Sequence, residues 1–188
     1  LSDIRKAHEK ILPYITKTPQ VPSIPLSSSS KNIFLKLESM QITGSFKLRG
    51  AINKLLSLND KQRSQGVVAV STGNHGKGVA YAAKKIGIKS KVFMSNLVPL
   101  HRKKAIENLG AEIIITGKNS DEADYEAREY AKKNNICLIH PFDDKQIIAG
   151  QGTIGLEMLE NLPSLDTVII PTSGGGLIGG IAIALKEQ

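Results

Sequence analysis

The sequence predicts an α/β protein made of open, twisted parallel sheets with flanking helices. From Gly66 onward, short apolar runs alternate with helical patterns, and strands that alternate with helices form parallel sheets through right-handed crossovers. Two of the apolar runs lead directly into glycine-rich turns, at residues 71–76 and 172–180, and each turn precedes another helical pattern. Gly87 ends the helical pattern that follows the first of these turns, and Gly110 ends the next one, as glycine commonly does at a helix C-terminus.

The first third of the chain is predicted to be less regular. Residues 2–16 carry an apolar stripe at helical spacing, which indicates an amphipathic helix. Residues 17–30 contain three prolines and then four consecutive serines, so they predict an irregular connection. Residues 32–38 alternate well enough for a strand. Ser45 is the predicted N-cap of the next helix, which places Lys47 in its first turn.

The alternating block has the size of a small domain. It contains predicted strands at residues 67–70, 91–94, 111–116 and 136–140, with helices between them. A helix over residues 154–162, a strand over 167–170 and a last apolar helix follow. We therefore predict a small open α/β domain at residues 66–141, and two parts of a larger domain at 1–65 and 142–188. Because a strand–glycine–helix unit usually continues to another strand, we expect the larger domain to be truncated at the C-terminus.

Composition narrows the functional class. The 188 residues are 40% hydrophobic and 22% charged, with a net charge of +8 that is spread along the chain in short lysine pairs. Aromatic residues make up only 4%, which leaves little to stack on bases, so no nucleic-acid partner is expected. No apolar stretch is long enough to cross a bilayer, and no signal-peptide pattern is present. Cys137 is the only cysteine, so a cytoplasmic protein without an intrachain disulfide is expected.

Lys47 is the first candidate for chemistry. A cation in the first turn gains nothing from the helix dipole, which favours negative charge at that end. Desolvation would lower the pKa of the amine and make it a nucleophile that can form an imine with an aldehyde. The alternative is a solvated surface lysine, which is the ordinary state of this residue type.

The glycine-rich turn at residues 172–180 predicts an anion site. Clustered backbone N–H groups at a helix start, together with the helix dipole, suit a phosphate. Gly174, Gly176 and Gly179 also satisfy the spacing of a dinucleotide-binding turn. That interpretation is a weaker rival because it leaves Lys47 without a role. Tight helix–sheet packing is the alternative that needs no ligand.

The turn at residues 71–76 offers hydroxyl, amide and backbone donors, which together suit a carboxylate. Asn74 is a candidate donor to a cofactor oxygen, whereas His75 by itself favours a packed, hydrogen-bonded residue. A lysine for an imine, glycines for a phosphate and a polar turn for a carboxylate are what a pyridoxal phosphate enzyme requires. Pyridoxal 5'-phosphate is thus the predicted cofactor, and no metal site is assigned.

Five motifs occur in an order that resembles one family. They are Ser-Phe-Lys-Leu-Arg-Gly-Ala at 45–51, Ser-Thr-Gly-Asn-His-Gly at 71–76, His-Pro-Phe-Asp-Asp at 140–144, Ala-Gly-Gln-Gly-Thr at 149–153 and Ser-Gly-Gly-Gly-Leu at 173–177. Together they resemble the serine/threonine dehydratase and serine racemase group of fold-type II pyridoxal phosphate enzymes. The resemblance covers essentially the whole chain. It implies a small amino-acid substrate, a lyase reaction that yields a keto acid and ammonia, and a homodimer when the protein is full length.

The resemblance also implies roles for individual residues. Lys47 would carry the cofactor as a Schiff base and move the α-proton of the substrate. Phe46 would pack beside the cofactor ring and Asn74 would bond its phenolic oxygen. The substrate carboxylate would be held by the turn, and the phosphate by the glycine-rich loop. The turn residues are Ser71, Thr72, Gly73, Asn74 and His75, and the loop residues are Ser173, Gly174, Gly175, Gly176 and Leu177.

Thr72 keeps two reactions open. Racemases of this group typically have a serine there, which acts as the acid/base on the face opposite the lysine. The extra methyl group and stiffer side chain of threonine favour the dehydratase, with Thr72 still a candidate catalytic residue. The rivals are a racemase on the same scaffold and a non-catalytic, truncated fragment. The partner of the pyridine nitrogen is expected beyond residue 188.

Overall fold

The computed structural model describes residues 1–186 and confirms the α/β class. Three 3₁₀ turns, Leu12–Tyr14, Ile24–Leu26 and Glu38–Met40, interrupt the first third of the chain. The helices are α1 Ser2–Ile11, α2 Lys47–Leu56, α3 Asp60–Gln65, α4 Asn74–Ile86, α5 Leu100–Glu107, α6 Ser120–Asn134, α7 Lys145–Asn161 and α8 Gly176–Lys186. The strands are β1 Gln20–Pro22, β2 Phe34–Lys36, β3 Val67–Val70, β4 Ser90–Met94, β5 Glu112–Ile115 and β6 Cys137–Leu138.

The predicted parallel sheet is present, in the order β5–β4–β3–β6. Its two faces follow the two-residue alternation of strand side chains. Val92 and Met94 pack in a cluster with residues of α4 and α5, whereas Val68 and Phe93 pack with α6. Helices thus cover both faces, as a parallel sheet requires. The four strands lie within residues 67–138, and the division into a small and a larger domain stays a prediction.

Helix α7 is the centre of the remaining part of the chain. It packs against α1, α2 and α8, and glycines permit two of these close approaches. A Cβ added at Gly150 would lie 2.6 Å from the Arg49 carbonyl oxygen of α2, and one at Gly152 would lie 2.8 Å from the Gly180 carbonyl oxygen of α8. The Ala-Gly-Gln-Gly-Thr motif therefore lets α7 hold the N-terminal ends of α2 and α8 near each other.

Several element predictions are wrong or too long. Residues 167–170 are not a strand, and Ile169 is 90% exposed, because no strand among the described residues pairs with that segment. The strand predicted at residues 32–38 is limited to β2, which pairs antiparallel with β1, a strand that was not predicted. The helix predicted at 154–162 begins at Lys145, where the Asp144 carboxylate accepts from the Gln146 and Ile147 N–H groups. Helix α1 ends at Ile11 rather than at residue 16.

The predicted end of the last helix lies partly outside the described residues, which stop at Lys186. Among the helices that are described, none combines the length and the apolar character that crossing a membrane requires.

Candidate active site

A cavity of ≈ 320 Å³ lies where the N-terminal ends of α2 and α8 meet. Its volume falls in the range of about 300–1,000 Å³ that is usual for small-molecule sites. The cavity brings together seven of the predicted residues, Phe46, Lys47, Ser173, Gly174, Gly175, Gly176 and Leu177. Thr172 and Ile178, which also line the cavity, lie in the turn that was predicted as an anion site. Sequence reasoning assigned no individual role to the other lining residues, Pro141, Phe142, Gln151 and Pro171.

Lys47 begins α2, as the sequence predicts, and its side chain is half-buried. Its Nζ donates a 2.7 Å hydrogen bond to the Pro141 carbonyl oxygen and lies 5.2 Å from the centroid of the Phe46 ring. No carboxylate in the described part of the chain forms an ion pair with it. Burial therefore lowers the pKa of this amine below its usual value of 10.5. A larger neutral fraction makes the amine a better nucleophile.

The predicted N-cap at Ser45 is wrong. Phe46 occupies the cap position without a side-chain hydrogen bond, and the buried Ser45 hydroxyl has no partner among the described residues. Instead, the Gly50 N–H in the first turn of α2 donates a 3.2 Å hydrogen bond to the Gln151 Oε1 of α7. A residue about one hundred positions away thus partly replaces a local cap.

The His-Pro-Phe-Asp-Asp motif is a turn between β6 and α7. His140 Nδ1 accepts from the Asp143 N–H at 2.8 Å and from the Phe142 N–H at 3.3 Å. The His140 and Phe142 rings meet edge to face, with centroids 4.7 Å apart. This turn presents the Pro141 carbonyl to Lys47 and places Phe142 against the glycine-rich loop.

The glycine-rich loop has the properties of an anion site. Gly175 has a φ of +86°, which favours glycine, and a Cβ at Gly176 would lie 2.7 Å from the Phe142 carbonyl oxygen. Helix α8 starts at Gly176, so its first N–H groups have no acceptor within the helix and lie on the cavity side. An aldehyde-reactive amine and an anion-binding helix start thus share one cavity. These residues fit pyridoxal phosphate, which combines an aldehyde and a phosphate.

The turn at residues 71–76 lies beside this cavity but does not line it. It follows β3 and opens α4, in which Asn74 is exposed. A Cβ at Gly78 would be 3.2 Å from the Lys47 carbonyl oxygen, so α4 packs directly on the start of α2. The start of α4 therefore lies against the start of α2, but Ser71, Thr72, Gly73 and Asn74 do not line the cavity.

His75 is buried and hydrogen-bonded. Its Nε2 lies 2.8 Å from the Ile139 carbonyl oxygen, so this nitrogen carries the proton of the neutral ring. Burial is the main cause that lowers the pKa of His75 to about 4; the Ile139 bond opposes this shift, and the charge of Lys47 adds to it. At neutral pH the ring is uncharged and held in one tautomer.

A buried cluster of four charges anchors the other side of α2. The Arg49 guanidinium lies 2.6 Å from Glu157 Oε1 and 2.8 Å from Glu38 Oε1, and the Lys36 amine lies 2.5 Å from Glu157 Oε2. Thr153 Oγ1 accepts a further bond from Arg49. Burial opposes the charge of Glu157, but its hydrogen bonds to Arg49 and Lys36 outweigh that effect and lower its pKa. The sequence did not reveal this cluster, because its members are separated by up to 121 residues.

Comparison with known proteins agrees with the fit to pyridoxal phosphate. The chain is 48% identical over 189 aligned positions to the L-threonine dehydratase catabolic TdcB of Staphylococcus aureus. The alignment covers 100% of this chain and 55% of that protein. Its fold superimposes on maize serine racemase with a TM-score of 0.94, at 39% identity, covering 99% of this chain and 57% of the racemase. The processed form of threonine deaminase isoform 2 from Solanum lycopersicum gives a TM-score of 0.92 at 35% identity, with coverages of 99% and 56%.

The chain thus spans about half the length of the relatives it matches. The family described as pyridoxal-phosphate dependent enzyme matches residues 11–188, which is most of the chain. This match extends over α2, the turn before α7 and the glycine-rich loop, the segments that form the cavity. The chain therefore belongs to the family of pyridoxal-phosphate dependent enzymes.

Proposed function

We propose that this chain forms part of a pyridoxal-phosphate dependent dehydratase, or ammonia-lyase, that acts on a small β-hydroxy amino acid such as L-threonine or L-serine. The observation that carries the proposal is the half-buried Lys47 amine, which has a lowered pKa and shares a cavity with the glycine-rich loop. The 48% identity to a threonine dehydratase supports this choice of reaction.

The cofactor would be held from two sides. Lys47 provides the amine for its aldehyde, and Phe46 offers a ring that lies beside that amine. The N–H groups at the start of α8 and the Ser173 hydroxyl provide donors for its phosphate, with Gly174, Gly175, Gly176 and Leu177 forming the loop. Asn74, at the exposed start of α4, is proposed to donate to the phenolic oxygen of the cofactor.

The substrate carboxylate would meet the turn that precedes α4. Ser71, Thr72 and Gly73 supply hydroxyl and backbone donors there, and the helix dipole of α4 favours a negative group. His75 serves this turn as a neutral, fixed ring, because its Nε2 is bonded to Ile139. The carboxylate would thereby be held on the side of Lys47 where α4 packs on α2.

The chemistry divides between cofactor and protein. Bound pyridoxal phosphate supplies an electron-withdrawing ring that accepts the electron pair left when the α-proton departs. Lys47 in its neutral form would take that proton and return it to the β-hydroxyl, which would then leave as water. One water molecule returns during hydrolysis of the resulting enamine. The water lost and the water gained cancel, so each L-threonine gives one 2-oxobutanoate and one ammonia in balance.

An amino-acid racemase is the second candidate, because the fold matches maize serine racemase with a TM-score of 0.94. That reaction needs an acid/base opposite Lys47, and Thr72 is the residue of this chain that would fill the role. Racemisation and elimination would then differ in whether the Thr72 hydroxyl returns a proton to the α-carbon. We further propose a cytoplasmic homodimer, and a domain division at residues 66 and 141.

The test is release of 2-oxo acid from L-threonine and L-serine by the purified protein supplied with pyridoxal phosphate, with the enantiomer composition of the remaining substrate measured in parallel. Thr72→Ser and Thr72→Ala are the matched variants. Keto-acid release from the parent protein that persists in both variants supports the dehydratase. Loss of enantiomeric purity that rises in Thr72→Ser and stops in Thr72→Ala would establish the racemase instead. A protein that binds the cofactor but performs neither reaction would be the non-catalytic alternative.

A further inference from the structure

We propose that Gln151 is a binding residue of the cavity: its Nε2 donates a hydrogen bond to an oxygen of the bound phosphorylated cofactor, while its Oε1 holds the first turn of the Lys47 helix. This inference rests on the proposed function, because it takes pyridoxal phosphate as the occupant. Helix α7 would then contribute a cofactor-binding side chain to the cavity, in addition to the residues from α2 and α8.

The acceptor half of the side chain is already engaged. Gln151 Oε1 accepts the 3.2 Å bond from the Gly50 N–H. Because a backbone N–H can only donate, the atom bonded to it is the amide oxygen. The Nε2 also lies against Gly50, 2.7 Å from the position that a Cβ on that residue would take, but it forms no hydrogen bond there. The amide NH₂ group therefore has no acceptor on α2.

The donor half is unpaired and keeps a small accessible area. Gln151 is only 1% exposed, yet it lines the cavity. Its Nε2 has no acceptor among the described residues, and unlike the Ser45 hydroxyl oxygen it is not completely shielded from solvent. The small exposed fraction of this residue therefore includes the nitrogen, and the accessible space at that point is the cavity.

The chemistry of a primary amide restricts the ligand group. The free NH₂ can donate and cannot accept, so its partner is an oxygen or another acceptor. A buried donor that lacks a partner is costly, and burial by a bound ligand with an acceptor would relieve that cost. In this cavity the glycine-rich loop already favours a phosphate. The phosphate oxygens of pyridoxal phosphate and the oxygen substituents of its pyridine ring are all acceptors.

The two bonds of Gln151 link cofactor binding to the position of Lys47. One side chain contacts the occupant through Nε2 and the Gly50 N–H through Oε1, and Gly50 follows Lys47 in the same helical turn. A ligand that fixes the amide plane therefore also fixes the start of α2. Gln151 in this respect is a positioning residue for Lys47 as well as a donor to the occupant.

Two substitutions separate the two bonds. Gln151→Glu keeps an acceptor for the Gly50 N–H, and the dipole at the start of α2 favours its ionised form, but it removes the donor. Gln151→Met removes both the donor and the acceptor at similar size and adds no charge. Gln62→Glu, on the surface helix α3, controls for the change in net charge.

The experiment titrates the full chain, freed of cofactor, at pH 8 with pyridoxal phosphate and, separately, with pyridoxal, following the absorbance of the lysine-bound form. Thermal unfolding without cofactor is recorded for each variant. We expect both Gln151 variants to bind pyridoxal phosphate about 10- to 100-fold more weakly, which is the range for loss of a bond to a charged acceptor. Gln151→Met should also lower the unfolding temperature, because it removes the bond to the Gly50 N–H.

The titration with pyridoxal, which lacks the phosphate, identifies which oxygen the Gln151 Nε2 binds. If only the affinity for pyridoxal phosphate falls, the Gln151 Nε2 binds the phosphate. If the affinity for pyridoxal falls equally, it binds an oxygen substituent of the pyridine ring. Unchanged affinity in either Gln151 variant, or an equal loss in Gln62→Glu, would overturn the proposal. Failure of the parent protein to bind either compound would contradict the proposed function itself, and is thereby distinguishable.

Discussion

Lys47 and Arg49 are two cations in the first turn of the same helix, and burial affects them in opposite ways. Burial opposes the charge of Arg49, but hydrogen bonds and charges from Glu157 and Glu38 outweigh that effect and raise its pKa. Lys47 is only half-buried and has a backbone carbonyl as its partner, so desolvation lowers its pKa.

The difference teaches what separates a structural cation from a reactive one. A buried charge with two carboxylate partners is held in its charged form and in one position. A cation with only a neutral partner lies closer to losing its proton, and its lone pair then becomes available. Helix α2 presents the first kind of residue to α7 and the second kind to the cavity.

The largest effect in this comparison is expected from Lys47→Ala. Removing the amine removes both the attachment point of the cofactor and the proposed base, so keto-acid release should fall by at least about 100-fold. Lys61→Ala, on the exposed face of α3, should leave the rate unchanged. Steady-state assays with L-threonine at saturating pyridoxal phosphate provide the measurement. A Lys47→Ala protein with more than a tenth of the parent activity would remove Lys47 from its assigned role.

The next effect concerns stability. Among the described residues, Arg49→Met leaves Glu157 with Lys36 as its only cation and breaks the ion pair of Glu38. Removing one partner from a buried ion pair costs about 3–5 kcal/mol of unfolding free energy. Arg128→Met, which breaks the exposed pair with Asp124, should cost less than about 1 kcal/mol. Urea denaturation of the three proteins gives the values. Equal losses of unfolding free energy at the two sites would show that the buried Arg49 cluster stabilises the protein no more than the exposed Arg128–Asp124 pair.

A third prediction extends the comparison to His75, a base that also lacks a carboxylate partner. Its pKa is lowered from 6.5 to about 4, so below pH 6.5 the unfolded chain binds a proton that the folded chain does not. The contribution of His75 to stability is present above pH 6.5 and is lost as the pH falls towards 4, by up to about 3 kcal/mol.

His75→Gln provides the reference, because glutamine can still donate to the Ile139 carbonyl but does not titrate. The difference in unfolding free energy between the two proteins, measured between pH 7 and pH 4, should shift by that amount in favour of the variant. A difference that stays constant with pH would mean that His75 is not neutral and buried in the folded protein.

The smallest effect is expected at the crossing of α2 and α7. Gly150→Ala would place a Cβ 2.6 Å from the Arg49 carbonyl oxygen and should cost about 1–3 kcal/mol through overpacking. Gly179→Ala is the matched control in α8, since a Cβ there meets nothing within 4 Å. It should be neutral or slightly stabilising. The measurement is the thermal unfolding temperature of both variants. A lower unfolding temperature for Gly179→Ala than for Gly150→Ala would contradict this prediction.

The sequence predicts local features of this molecule better than distant ones. Strands β3, β4 and β5 were found because each is a short apolar run between turns, a signal carried by its own residues. Lys47 and the glycine-rich loop were found for the same reason, since each lies at a helix start. Their meeting in one cavity follows from the packing of α2 and α8 on α7. It was anticipated by the chemistry that these residue types share and by the resemblance to a family, not by any local pattern.

Features that depend on remote partners were missed. The Arg49 cluster joins residues 36, 38, 49 and 157, and Gln151 replaces the expected Ser45 cap from a helix about one hundred residues away. The opposite error occurred at residues 167–170, where an apolar pattern of strand type has no neighbouring strand in the described part of the chain. A strand is defined by its partner as much as by its own sequence.

The most direct test of the central claim is to locate where pyridoxal phosphate attaches. The protein is incubated with the cofactor at pH 7, reduced with borohydride and digested, and the labelled peptides are identified by mass spectrometry. The lowered pKa of Lys47 and its place in the cavity predict one dominant label, on Lys47, at about one equivalent per chain. Label spread over the exposed lysines, with none enriched at Lys47, would contradict the assignment of this cavity as the active site.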